Sequence, residues 1–176
     1  AWWGVGSAMR ILAALVTLAL LVGCSSRGVP TTNCIRNFGK VNDSLYRGSQ
    51  PDKQAMRQLH ALGIKSVINL RMTKDVWKEE SEAAAAHSMA YTNIPLESLS
   101  APTDAQVGSV LGGISSMPKP VFIHCRYGCD RTGTIIGCYR IQQDRWANAY
   151  ALKEAEVYGI SPFEVGMRNY IKRFMK

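Results

Sequence analysis

No apolar run in this 176-residue chain is long enough to cross a bilayer. The longest, residues 11–22, has twelve residues, all apolar but Thr17, against roughly 20 for a membrane-spanning helix. Acidic side chains are also few, 13 against 21 Lys and Arg, and the resulting formal net charge of +8 favours anionic partners. Those cations are dispersed, with only Lys172 and Arg173 adjacent, and no nucleic-acid-binding motif accompanies them, so no nucleic-acid partner is expected. Repeats and low-complexity tracts are absent, and the length suits one α/β domain of ordinary size but not two.

Against these absences stands one dense stretch, His124-Cys125-Arg126-Tyr127-Gly128-Cys129-Asp130-Arg131-Thr132-Gly133. Val121-Phe122-Ile123 before it reads as a buried strand, which puts Cys125 at a strand's carboxyl end. Residues 134–141 after it repeat apolar side chains at helical spacing, so the loop feeds a helix N-terminus, where open α/β sheets bind ligands. Five residues between Cys125 and Arg131 can turn their backbone N–H groups inward as an anion nest, and the helix dipole adds positive potential. A dianionic phosphoryl group fits such a nest, which would be built from Arg126, Tyr127, Gly128, Cys129, Asp130 and Arg131. Gly128 supplies the positive φ that a tight loop needs, and the Arg131 fork can grip two phosphate oxygens. The same field lowers the pKa of Cys125 and makes it a thiolate nucleophile.

Cys-x5-Arg with His124 before it and Thr132-Gly133 after it resembles the signature loop of the cysteine-dependent tyrosine and dual-specificity protein phosphatases. The resemblance implies that Cys125 attacks phosphorus to form a phosphocysteine and that Arg131 holds the equatorial oxygens. It further implies that Thr132 assists the thiolate as leaving group, that His124 tunes it from behind, and that neither metal nor cofactor takes part. Leu45-Tyr46-Arg47-Gly48-Ser49-Gln50-Pro51 is similar to the opening of a bacterial branch of these enzymes. The implied fold is a single compact α/β domain with a mostly parallel central sheet flanked by helices, working as a monomer. The expected substrate is phosphotyrosine in protein, with phosphoserine and phosphothreonine open. A phosphoinositide or inositol-phosphate phosphatase and an inactive phosphate-binding module stand as alternatives.

Residues 97–102 lie where that family carries its mobile acid loop, but the usual Asp is missing: Pro95 holds its place, among Asn93, Glu97 and Ser98. Three carboxylates therefore compete to protonate the leaving group. Asp104, at a helix start capped by Thr103 and Gln106, ranks first because similar bacterial members carry acidic residues at this point. Asp130, which Arg131 and the nest should hold ionised, ranks second, and Glu97 third.

Residues 1–8 precede Met9, a candidate start, and fit no signal architecture. From Met9 the chain runs through Arg10 and the apolar segment to Leu21-Val22-Gly23-Cys24, which resembles a bacterial lipobox behind an export signal. The implied division is 1–23 signal with its upstream extension, 24–33 a linker lipidated at Cys24, and 34–176 the phosphatase domain. Ser25 in place of Asp implies outer-membrane sorting, facing the periplasm. Of the five cysteines, one is the lipid candidate and one the nucleophile, so no fixed disulfide framework is expected, although Cys129 or Cys138 could pair reversibly with Cys125.

The other elements follow from periodicity. Residues 37–51 read as two short strands about an Asn-Asp turn, and Pro51 opens a helix carrying Met56, Leu59 and Leu62 up to Gly63. Residues 64–71 and 91–96 read as strands and 79–89 as a helix, with His60 and His87 as packing or surface residues. Residues 145–158 read as a helix with Trp146, Ala149, Leu152 and Ala155 on one face. A Ser161–Glu164 capping box opens a last helix whose stripe is Phe163, Met167, Tyr170, Ile171 and Phe174.

Overall fold

The computed structural model describes residues 32–175. The expected export signal, its expected lipidation site Cys24 and the expected linker up to residue 31 lie outside the described residues. Among those described, no helix is long and apolar enough to cross a membrane.

Five strands form one sheet in the order β1-β2-β5-β3-β4, with β1 at Gly39–Asn42, β2 at Leu45–Ser49, β3 at Ser66–Asn69, β4 at Ala90–Asn93 and β5 at Val121–Cys125. Only β1 runs antiparallel, paired to β2 across the expected turn, and the other pairs are parallel. All five residues of β5 are buried, as a central parallel strand requires, and its neighbours on both sides leave no free edge. Alternation of side chains sorts the two layers. Phe122 and Val67 face α1 (Lys53–Ala61) and α2 (Glu80–Ala85), against Met56, Leu59 and Ala84. Val121, Ile123 and Ile68 face α3 (Asp104–Ser116) and α4 (Asp130–Gln142), against Val107, Val110, Ile114, Ile135 and Ile136. Outside α4 lie α5 (Asn148–Val157) and α6 (Val165–Arg173), packed through Ile141, Ala151, Leu152, Ala155, Met167 and Ile171. Covered from both sides, α4 has no solvent-facing side over residues 131–138, which are all buried.

Several boundaries differ from those expected. Helix α4 starts at Asp130, so Arg131, Thr132 and Gly133 already belong to its first turn and the loop is the four residues 126–129. Asp52 rather than Pro51 opens α1, its carboxylate accepting from the Ala55 N–H at 2.8 Å, and Leu62 falls beyond the helix and is 42% exposed. Helix α2 is shorter than its Ala- and Glu-rich run; Ser88 at φ 55° ends it, and His87 stacks on His60 at 5.4 Å. Arg145 at φ 60° delays α5, and Ala149 is exposed. The Ser161 capping box does not form: α6 starts after Glu164 without a side-chain cap, and Ser161 Oγ accepts from Phe163 N instead. Phe163 therefore precedes the helix and stands 88% exposed instead of joining the stripe, while Met167 and Ile171 are buried. The Thr103–Gln106 capping box of α3 forms as expected.

Candidate active site

Cys125 ends β5, 3% exposed, with Ser49 of β2 beside it in register. The chain then turns through Gly128, whose φ is +72° and where a Cβ would stand 2.6 Å from the carbonyl carbon of Gly48. No other residue fits that position without moving β2. Three successive loop carbonyls are held from outside. Gln50 N–H donates to Arg126 O at 3.3 Å, Asn37 Nδ2 to Tyr127 O at 2.9 Å, and Arg47 Nη2 to Gly128 O at 2.9 Å. Peptide planarity turns the N–H groups of these same peptides away from those partners, the sense that the expected anion nest requires.

Arg131 extends from the first turn of α4, 8% exposed, its Nη1 making long contacts of 3.5 Å to Leu70 O, just beyond the end of β3, and 3.4 Å to Leu96 O. Thr132 is fully buried and its Oγ1 has no hydrogen-bond partner among the described residues. Behind the nucleophile, His124 Nδ1 lies 3.3 Å from Cys125 O, and its Nε2 approaches Glu80 Oε1 to 2.8 Å, off the axis of an ideal hydrogen bond. Both side chains are fully buried. Glu80 Oε2 also accepts from Asn69 Nδ2 at 2.6 Å and from Tyr91 Oη at 3.3 Å. Burial pushes the Glu80 carboxyl upward, but the close approach of His124, with Gln50 and Asn69, outweighs it and holds the carboxyl below its usual range.

The three acid candidates separate. Asp104 Oδ1 accepts from Tyr170 Oη at 2.6 Å and faces a cleft lined by Val107, Leu111, Gln142 and Phe174, with no loop residue in it. Asp130 Oδ1 is taken by Ser161 N–H at 2.7 Å. Glu97 is exposed and directly follows Leu96, whose carbonyl touches Arg131. A fourth carboxylate belongs to Glu164, which the sequence marks only as part of a capping box. It lines a cleft of about 480 Å³ with Tyr127, Cys129, Asp130 and Ser161, and burial and Asp130 raise its pKa against the pull of Arg131.

The four described cysteines are free thiols. Burial, then Asp130 and Cys125, pushes Cys129 up to about 11, and burial, then Asp104, pushes Cys138 up to about 12. Both are therefore protonated near neutral pH and weak as attacking thiols. Arg47, Asn37 and Glu80 escape sequence reasoning as site residues. Only Arg47 carried a signal, a cation between Leu45 and Ser49 on the inward face of a strand.

A family profile described as DSP-PTPase phosphatase fused to NAD+ kinase matches residues 30–172. The chain is similar to the dual specificity protein phosphatase TpbA of Pseudomonas aeruginosa, 30% identical over 129 residues, which cover 68% of this chain and 53% of that protein. It is also similar to the inositol diphosphatase DSP5 of Arabidopsis thaliana, 27% identical over 67% of this chain and 59% of the relative. The chain thus spans little more than half the length of these curated relatives. Among solved structures, the phosphotyrosine complex of P. aeruginosa TpbA superposes with a TM-score of 0.71 at 22% identity, covering 86% of this chain and 91% of the other. The catalytic core of the PP-IP phosphatase SIW14 from S. cerevisiae gives 0.70 at 22%, covering 84% and 88%. At such identities the superpositions establish the fold alone.

Proposed function

Since the chain belongs to the DSP-PTPase phosphatase family, we propose that it hydrolyses phosphomonoesters through a phosphocysteine on Cys125, with phosphotyrosine in a protein as substrate. The observation that carries this reading is the loop of residues 126–129, its three outward-pinned carbonyls arranged above a buried Cys125. In the first step Cys125 Sγ forms a bond to phosphorus as the ester oxygen leaves with a proton. In the second, water attacks phosphorus and passes its proton to the carboxylate that gave one up in the first step, and the P–S bond breaks to return the thiolate, which Thr132 Oγ1–H stabilises by donating a hydrogen bond. Arg131 and the loop N–H groups carry the phosphoryl charge throughout.

For the leaving-group proton, the placements favour Glu97 over Asp104 and Asp130, which are engaged by Tyr170 and Ser161. A general acid contributes about 10²–10⁴-fold, most of it on poor leaving groups. Glu97→Gln is expected to lose that much in kcat/KM on phenyl phosphate and far less on an activated aryl phosphate, with Asp104→Asn losing less than about tenfold. A larger selective loss in Glu164→Gln would move the role to the opposite wall and refute Glu97.

Tyr127, 48% exposed at the mouth, supports an aryl phosphate as substrate. Leu99 and Phe163, 85% and 88% exposed in the segments on either side of Arg131, support a peptide around it. A second reading, an inositol-phosphate substrate, draws on Arg126 and on Arg71, which Gln50 ties to the same wall through a 3.1 Å bond from Arg71 Nη1. A panel of phosphotyrosine peptides against inositol polyphosphates tests the assignment: higher kcat/KM on the peptides is expected, and preference for the polyphosphates would refute it. For location, Leu21 to Cys24 support lipidation at Cys24 and attachment to a membrane facing the periplasm. Cys24→Ala should release a soluble form or leave uncleaved precursor; unchanged mass and fractionation would contradict it.

A further inference from the structure

Arg47 is the largest of the fully buried side chains, 1% exposed in the middle of β2 and paired in register with Ile123. It points to the face that packs on α4. Nη2 donates to Gly128 O at 2.9 Å and lies 3.8 Å from where a Cβ on Gly133 would stand, in the first turn of α4. The guanidinium stacks on the Tyr158 ring, 3.8 Å from its centroid. Nε and Nη1 are buried with no hydrogen-bond partner, and among the described residues Arg47 forms no ion pair with a carboxylate.

This is an expensive arrangement. A buried cation without a paired anion carries its full desolvation cost, and the positive end of the α4 dipole beside it adds repulsion. The face of Tyr158 offsets part of that cost. Burial lowers the guanidinium pKa to about 10, while Tyr158, Glu154, Cys125 and Cys129 pull the other way, so the group remains a cation at neutral pH. Pinning the Gly128 carbonyl does not need a charge, because any neutral donor could do it. What does need a charge is an anion arriving on the other side of the loop.

We propose that Arg47 is a positioning residue whose buried positive charge, applied from beneath the loop through Gly128, holds Cys125 as a thiolate and strengthens the grip on the phosphoryl dianion. The inference rests on the reading of Cys125 as nucleophile. Arg131 holds the phosphate directly, whereas Arg47, held on Gly128 O and the Tyr158 ring, acts from below with or without substrate.

The test is the pH dependence of Cys125 alkylation by iodoacetamide, measured on the full chain alongside kcat/KM for an aryl phosphate and inhibition by inorganic phosphate. The wild type should show a midpoint well below the ordinary thiol value of about 8.5. Arg47→Met should raise the midpoint by about one unit or more, weaken phosphate inhibition, and lower kcat/KM at neutral pH by roughly tenfold or more. Arg47→Lys, which keeps the charge, should stay within about half a unit of the wild type. Arg47→Gln, which keeps a donor for Gly128 O without the charge, should behave as Arg47→Met and replaces it if that variant does not fold. An unchanged midpoint in the folded neutral variants overturns the proposal, as does failure of both to fold, since the role would then be structural. A wild-type midpoint near 8.5 would instead overturn the reading of Cys125 itself.

Discussion

Cys125→Ser is expected to abolish turnover of any phosphomonoester, by roughly 10⁴-fold or more, while inorganic phosphate still binds. A serine hydroxyl replaces the thiol with little change in size, so the loop stays in place, its carbonyls fixed by bonds from Gln50, Asn37 and Arg47 that do not depend on the sulfur. The hydroxyl cannot ionise near neutral pH as a thiol in a positive field can, and the nucleophile is lost although the nest is not. Steady-state assay with an aryl phosphate and calorimetric titration with phosphate measure the two properties separately. Near wild-type activity in the serine variant would rule out the covalent route.

Arg131→Ala should remove both properties, with a loss in kcat/KM of roughly 10³–10⁵-fold, the range found where an arginine stabilises phosphoryl transfer. Among the described residues its guanidinium has only long contacts to two carbonyls, so truncation removes little that holds the fold and much that would hold a phosphate. Arg131→Lys should recover only part of the loss, because an ammonium cannot reproduce two parallel N–H bonds. Melting curves near the wild type together with lost phosphate binding are expected. Retained phosphate binding in Arg131→Ala would contradict the role.

What the sequence reveals here is what is local. The strand ending in Cys125, the positive φ of Gly128 and the Thr103–Gln106 capping box depend on neighbours within a few residues, and each stands where the string of residues puts it. Helix α4 is legible as a helix but not in its start, because Asp130 to Gly133 read equally well as loop until Ser161 N–H and the sheet pin them. Phe163 misleads for a similar reason: a stripe extrapolated backward through Glu164 assumes a helical turn that the chain does not make. The supports of the loop are invisible because they are long-range. Asn37 reaches Tyr127 and Arg47 reaches Gly128 across 90 and 81 residues, and Glu80 is one of several Glu in an Ala-rich segment until His124 singles it out. The partner of Asp104 is equally remote: Tyr170, which donates to its Oδ1, lies on the last helix, 66 residues away.

The central claim is that a phosphoryl group passes through Cys125. Rapid acid quench of the wild-type protein during turnover of an aryl phosphate, followed by peptide mapping, tests it most directly. Phosphate is predicted on the peptide containing Cys125, at higher occupancy in Thr132→Ala, where departure of the thiolate is slowed, and absent from Cys125→Ser. Turnover with no trapped phosphate in either wild type or Thr132→Ala, or phosphate recovered on another residue, would contradict it.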